Sequence, residues 1–144
     1  MINSILKKKL IGYDLDGVIC ANSPKRDKPF IKQNSKEREE YSKKRITHCL
    51  TAKLMFRPID DFVIITARKK EDEKIATFAW LKEHNLAPIN VYFLTGVKTR
   101  ENIIKFKAKI INDLQLIEFS DDDPKIVKGL SKLCKNTHIV LWNN

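Results

Sequence analysis

The sequence predicts an α/β fold: a doubly wound, Rossmann-like parallel sheet of about five strands, arranged α/β/α in three layers. Three observations point to it. Short apolar runs alternate with longer segments of helical period, the chain order of a parallel sheet with right-handed crossovers. One run, Phe62-Val63-Ile64-Ile65, is continuous and rich in β-branched residues, as in a strand buried on both faces. The length, 144 residues, suits one domain that buries about 68–70% of its unfolded surface.

The elements follow in chain order. Leu10 to Leu15 reads as the first strand, Phe62 to Ile65 as the second and Ile89 to Leu94 as the third. Leu116 to Phe119 is the fourth and His138 to Trp142 the fifth. A helix from about Glu37 to Met55 sets Ile46, Cys49, Leu50 and Leu54 on one face, with Pro58 beyond its end. From about Lys70 to His84, Ile75, Phe78 and Ala79 face inward, and Asn85 is a candidate C-cap. Thr99 is a candidate N-cap for a helix over Arg100 to Asp113. Asp123 N-caps the last helix and Pro124 takes its first position. Ile126, Val127, Leu130, Leu133 and Cys134 then recur at helical spacing. Residues 1–144 read as a single domain without internal repeats. One stretch stands apart. Ala21 to Lys36 is polar, rich in Lys and Asn, and has no period, so a basic loop or lid is expected at about 19–36.

Composition excludes several classes. At 42% hydrophobic and 32% charged, with four Gly and five Pro, the chain is neither disordered nor collagenous. Lys and Arg number 28 against 18 Asp and Glu, a net charge of +10. Such an excess favours anionic partners such as nucleic acid or phosphorylated metabolites, and biased codon usage produces the same excess. Cys20, Cys49 and Cys134 have no paired spacing, which fits neither a disulfide framework nor a zinc site. Met1 to Leu10 lacks the order of a signal peptide, and no apolar run approaches a spanning length. A cytoplasmic protein with no membrane partner is expected.

Acidic residues gather where the strands end. Asp14-Leu15-Asp16-Gly17-Val18 follows the first apolar run. Two carboxylates at the end of a buried strand are costly unless something uses their charge. A Mg2+ ion would, as a hard cation that takes oxygen ligands. An Asp-Gly turn accounts for Asp16 and Gly17 but leaves Asp14 unexplained. Gly17 lets the chain turn away without a side chain in the site. The fourth strand leads into Ser120-Asp121-Asp122-Asp123. Capping explains Asp123 and leaves Asp121 and Asp122 to gain from a cation. The second strand ends in Thr66-Ala67-Arg68, a hydroxyl and a guanidinium fork suited to a phosphate. On the third helix Lys107 falls in the middle of the face formed by Ile103, Ile104, Phe106, Ile110, Ile111 and Leu114. A Lys there needs an anionic partner, or else its stem packs and its amine snorkels to solvent. Lys105 is the reserve candidate.

In this order the residues resemble the haloacid dehalogenase superfamily: Asp-x-Asp-Gly-Val after strand one, Thr after strand two, a helical Lys, and Asp-Asp after strand four. The resemblance spans Leu10 to Trp142 and implies a Mg2+-dependent phosphatase working through an aspartyl-phosphate. It implies Asp14 as nucleophile, and Asp16 as general acid and then base. Thr66 and Lys107 would hold phosphoryl oxygens, with Gly17, Ala67 and Arg68 binding substrate. Asp14, the main-chain carbonyl of Asp16, Asp121 and Asp122 would hold Mg2+. The acid role requires Asp16 protonated while Asp14 is ionised. The family places its Lys near a helix start. Either the regular helix therefore begins near Ile104, or Lys107 is not that Lys.

Between Val18 and Phe62 there is room for one loop and one helix. This resembles a capless or minimal-cap member, similar in spacing to the phosphatase domain of phage polynucleotide kinase and to small nucleotidase-like members. Open sites of that kind serve large substrates, nucleic-acid ends among them. Lys25, Arg26, Lys28, Lys32, Lys36, Lys43, Lys44 and Arg45 would line the rim and hold a polyanion. Alternatively, Glu37, Glu39 and Glu40 compensate a solvated loop. A phosphorylated sugar or metabolite is the other substrate class. Phe30 and Tyr41 are too few for a stacking platform, and His48 and His84 read as surface or structural. Two readings from other classes remain. A receiver domain has similar residues but accepts phosphate after its third strand, where this chain has Leu94-Thr95-Gly96. A non-catalytic basic module that binds nucleic acid gives no reason for the acids.

Overall fold

A computed structural model describes residues 9–143. Its five strands are β1 (Ile11–Tyr13), β2 (Phe62–Thr66), β3 (Asn90–Phe93), β4 (Glu118–Asp121) and β5 (His138–Leu141). Four α-helices join them: α1 (Ser35–Thr51), α2 (Glu71–Glu83), α3 (Arg100–Asp113) and α4 (Pro124–Leu133). All neighbouring strands pair parallel, in the order β3-β2-β1-β4-β5. The α/β sheet expected from the alternating pattern is the one observed. The expected reading of Met1 to Lys8 lies outside the described residues.

Side chains alternate across the sheet and feed two cores. Phe62 and Ile64 join Tyr13, Trp80 and Leu81 on the side of α2. Val63 and Ile65 join Ile111, Phe119 and Leu130 on the side of α3 and α4. These are the three layers. At Gly129 the two helices of the second layer approach closely, since a Cβ there would lie 2.6 Å from Cδ1 of Ile104.

Winding begins at the central β1, runs outward to β3, then crosses back through α3 to β4. The reversal falls between β1 and β4, and in open sheets the crevice beyond the strand ends at such a point is where ligands bind. Receiver domains share the flavodoxin-like order 2-1-3-4-5. The order here overturns that alternative.

Several boundaries differ from expectation. β1 stops at Tyr13, and β4 runs to Asp121, beyond Phe119. α1 ends at Thr51, and Leu54 instead bridges Cys20. On α1 the buried residues are Arg45 and Cys49, while Leu50 is exposed. The inward face expected for α2 is reversed. Ile75 and Phe78 are exposed, and Glu73, Ala76, Thr77, Trp80 and Leu81 are buried. Polar residues occupy this face because α2 packs on α1 and Arg68 through hydrogen bonds and an ion pair, which a hydrophobic pattern does not register. Helix ends follow their caps. Asn85 (φ 54°) sits one residue past the cap of α2 in the left-handed region. Thr99 caps α3 and Asp123 caps α4 through their side chains.

The loop after β1 is shorter than 19–36. Val18, Ile19 and Cys20 are fully buried, so the loop proper starts at Ala21, whose N–H donates to the Lys53 carbonyl at 2.9 Å. Beyond it, a capping box between Asn34 and Glu37 starts α1. Tyr41 donates to the Pro24 carbonyl, and the Arg26 guanidinium lies over the Tyr41 ring at 3.9 Å. No helix among the described residues is long and apolar enough to cross a membrane.

Candidate functional site

The site is assembled at the carboxyl ends of β1, β2 and β4. The Asp14 N–H donates to the Ser120 carbonyl at 2.9 Å, which continues the β1–β4 ladder and fixes Asp14 beside β4. Asp121 ends β4. Its side chain accepts from the Asp123 N–H, and its carbonyl accepts from the Trp142 N–H. Carboxylate oxygens of Asp14, Asp121 and Asp122 lie within 4.8 Å of one another.

Lys107 reaches this cluster from α3. Its Nζ donates to Oδ1 of Asp14 at 3.0 Å and to Oδ2 of Asp121 at 2.7 Å. The ammonium is buried. Burial alone would lower its pKa, but the Asp14 and Asp121 carboxylates outweigh this and raise it, so Lys107 stays charged. α3 starts at Arg100, not near Ile104, and Lys107 still reaches the acids from its second turn. Lys105 is exposed and pairs with Glu101, which removes it from the site.

Three carboxylates face one ammonium here, an excess of two negative charges when all are ionised. Burial, then Asp121, raises the Asp14 pKa well above the ordinary value. Asp122 is raised too, by burial and then by Asp121. Buried acids that resist ionisation are a cluster short of positive charge. The donors are hard oxygens, and Mg2+ fits both their chemistry and their charge. Gly17 (φ +85°) makes the room. A Cβ at that position would lie 2.1 Å from Oδ2 of Asp122.

Thr66 and Ala67 line the same cavity, Thr66 fully buried with its Oγ1 accepting from the Arg68 N–H. Arg68 is not available to a phosphate as expected. It is buried, and its fork grips Asp16 through Nε (3.0 Å) and Nη2 (2.7 Å), while Nη1 donates to Thr77. His48 is also in the site, against expectation, with Nε2 2.7 Å from Oδ1 of Asp16. An ionised carboxylate only accepts, so His48 donates. Burial pushes the Asp16 pKa up, but the bonds from His48 and Arg68 overcome it and hold the carboxyl well below its usual range.

The pair of acids is therefore split, but in the opposite sense to that expected: Asp14 is raised and Asp16 lowered. Arg68, His48 and Cys20 engage the Asp16 carboxylate, which is not grouped with the three acids, so its main chain remains for a cation there. A second group, Asp16, Cys20 and His48, has metal-ligand composition. The Arg68 fork already occupies both oxygens of Asp16, so that group does not suit a cation. All three cysteines are free and buried.

Above the acids opens a cavity of about 1240 Å³. Of the expected basic rim, Lys25, Arg26 and Arg45 line it, together with Phe30 and Tyr41. Lys28 and Lys43 instead pair with Glu37 and Glu39. Further cations, marked by no motif, come from Lys69 and Lys70 after β2, Lys98 after β3 and Arg100 at the start of α3. His48, Arg45 and Cys49 recur at helical spacing on one face of α1, a mixed pattern that marks a helix buried against polar partners.

No family model matches the sequence, and no curated protein does. Among solved structures, the HAD domain of effector protein Lem4 from Legionella pneumophila is similar to the chain. The TM-score is 0.47 and the identity 17%, covering 95% of this chain and 86% of that one.

Proposed function

We propose that the chain is a Mg2+-dependent phosphomonoesterase of the haloacid dehalogenase type. The observation that carries this reading is the Lys107 ammonium bridging Asp14 and Asp121, with Asp122 beside them, at the floor of an open cavity. Asp14, Asp121 and Asp122, with the Asp16 carbonyl, would hold the ion. When bound, Mg2+ offsets phosphate charge and fixes the line of attack.

The chain's own residues supply the rest. A carboxylate oxygen of Asp14 attacks phosphorus, and the bond from phosphorus to the leaving oxygen breaks. Lys107 and Thr66 donate to the phosphoryl oxygens, where charge collects. Asp16, once ionised, accepts the proton of the water that attacks the aspartyl-phosphate, releasing phosphate and restoring Asp14. To act at either step the Asp16 side chain must leave the Arg68 fork; it then takes up a proton from solvent, gives it to the leaving oxygen, and is ionised again when the water attacks. Arg68 thus acts on Asp16, not on substrate.

Hydrolysis of an aryl phosphate by wild type and Asp14→Asn tests the reading. Turnover that needs Mg2+ and falls about a thousandfold or more in the variant supports it. Equal rates, or inert protein across a panel of phosphomonoesters, would overturn it.

A further inference from the structure

The acids and Lys107 account for the floor of the cavity but not for its wall. Among the residues that line the cavity on the side of the β2–α2 and β3–α3 loops, Lys69, Lys70, Lys98 and Arg100 face one acid. That acid is Glu73, and its oxygens are already taken; Glu71, Asp72 and Glu101 of the same helix starts do not line the cavity. One oxygen of Glu73 takes Arg45 through Nε and Nη2, both at 3.1 Å. The other accepts from the main-chain N–H groups of Lys69 and Lys70. Lys69 spends its ammonium on the Gly96 carbonyl. Among the described residues, no carboxylate lies within ion-pair distance of Lys70, Lys98 or Arg100, and all three line the cavity.

These three cations sit on a firm base. The Leu94 N–H donates to the Arg68 carbonyl at 3.0 Å, and the Lys69 contact with Gly96 ties the two loops again.

From this we propose a second phosphate subsite formed by Lys70, Lys98 and Arg100. Resting on the phosphomonoesterase reading, it makes the substrate a molecule with a second phosphate beyond the one cleaved at Asp14. A cavity of about 1240 Å³ is larger than a single small phosphomonoester needs. The second phosphate is either a backbone phosphodiester or a further monoester, since guanidinium and ammonium groups hold both.

The test compares a nucleoside monophosphate, a nucleoside bisphosphate, a terminally phosphorylated dinucleotide and an aryl phosphate. Wild type is set against a Lys70→Ala/Lys98→Ala/Arg100→Ala variant, all three at exposed positions. The expected result is a KM about tenfold lower for at least one two-phosphate substrate than for the monophosphate, the size of one charge-assisted hydrogen bond. Preference for the dinucleotide assigns the subsite to a phosphodiester, and preference for the bisphosphate to a monoester. The advantage should shrink with added salt and vanish in the variant, whose loss on the aryl phosphate is smaller. Equal KM for one- and two-phosphate substrates, or an advantage that survives in the variant, overturns the proposal. Calorimetric affinities for the same ligands separate the two readings. Wild type that turns over nothing yet prefers two phosphates loses the phosphomonoesterase reading and keeps the subsite. Equal affinities remove the subsite whatever the activity.

Discussion

Lys107 and Asp121 form an ion pair at 2.7 Å in which each side chain is only 2% exposed. Removing one member of such a pair leaves uncompensated charge in a dry site, which costs about 3–5 kcal/mol. Lys107→Met should therefore lower stability by that order, read from urea unfolding. Mg2+ should restore part of the loss, because it neutralises the same acids. A variant as stable as wild type would show that the pair is not what offsets them.

Mg2+ itself should stabilise the wild type. A ligand that binds only the folded state adds about 2.7 kcal/mol at a hundredfold excess over its Kd. The melting temperature should climb with Mg2+ concentration, and the climb should flatten in Asp121→Asn. Identical melting with Mg2+ and with chelator would argue against a cation among Asp14, Asp121 and Asp122.

Arg68 grips Asp16 with two nitrogens, so Arg68→Gln should raise the Asp16 pKa toward the ordinary carboxylate value. Carbon NMR of the labelled carboxyl follows this directly. The same change should lower kcat more than it raises KM, because Arg68 holds Asp16 and not the phosphate. A pure KM effect would restore Arg68 to the substrate.

Acid should weaken the α1–α2 contact through Glu73. Burial raises its pKa, but Arg45 and the main-chain N–H groups of Lys70 and Lys69 prevail and lower it. A carboxylate with a lowered folded pKa contributes stability that is present above its unfolded value, near 4.3, and is lost as pH falls through the folded one. Glu73→Gln should flatten the stability profile in that acidic window, measured by denaturant midpoints. It should also destabilise at neutral pH, where Arg45 loses its partner. An unchanged acid limb would place the titration elsewhere.

Gly17 combines a left-handed backbone with close contact to Asp122. A Cβ there costs about 1–2 kcal/mol from the backbone alone. Gly17→Ala should also weaken Mg2+ binding by displacing Asp122, which a Mg2+-dependent melting shift detects. Unchanged Mg2+ response would separate Gly17 from the cluster.

The sheet and the acid cluster were legible because their signals are local. Continuous β-branched runs such as Phe62 to Ile65 have few ways to be buried, and a strand end places Asp14 and Asp121 at one edge once the strands pair. Lys107 stood out because a charge in the middle of an apolar helical face is costly without a partner. Tertiary structure alone decided the fate of Asp16. Its partners Arg68 and His48 lie 52 and 32 residues away, and nothing in a local pattern says that a guanidinium after β2 will turn to an acid after β1. It also decided which face of α2 is inside. Glu73 and Thr77 are buried because Arg45 and Arg68 meet them there, and hydrophobic periodicity cannot register burial that hydrogen bonds stabilise.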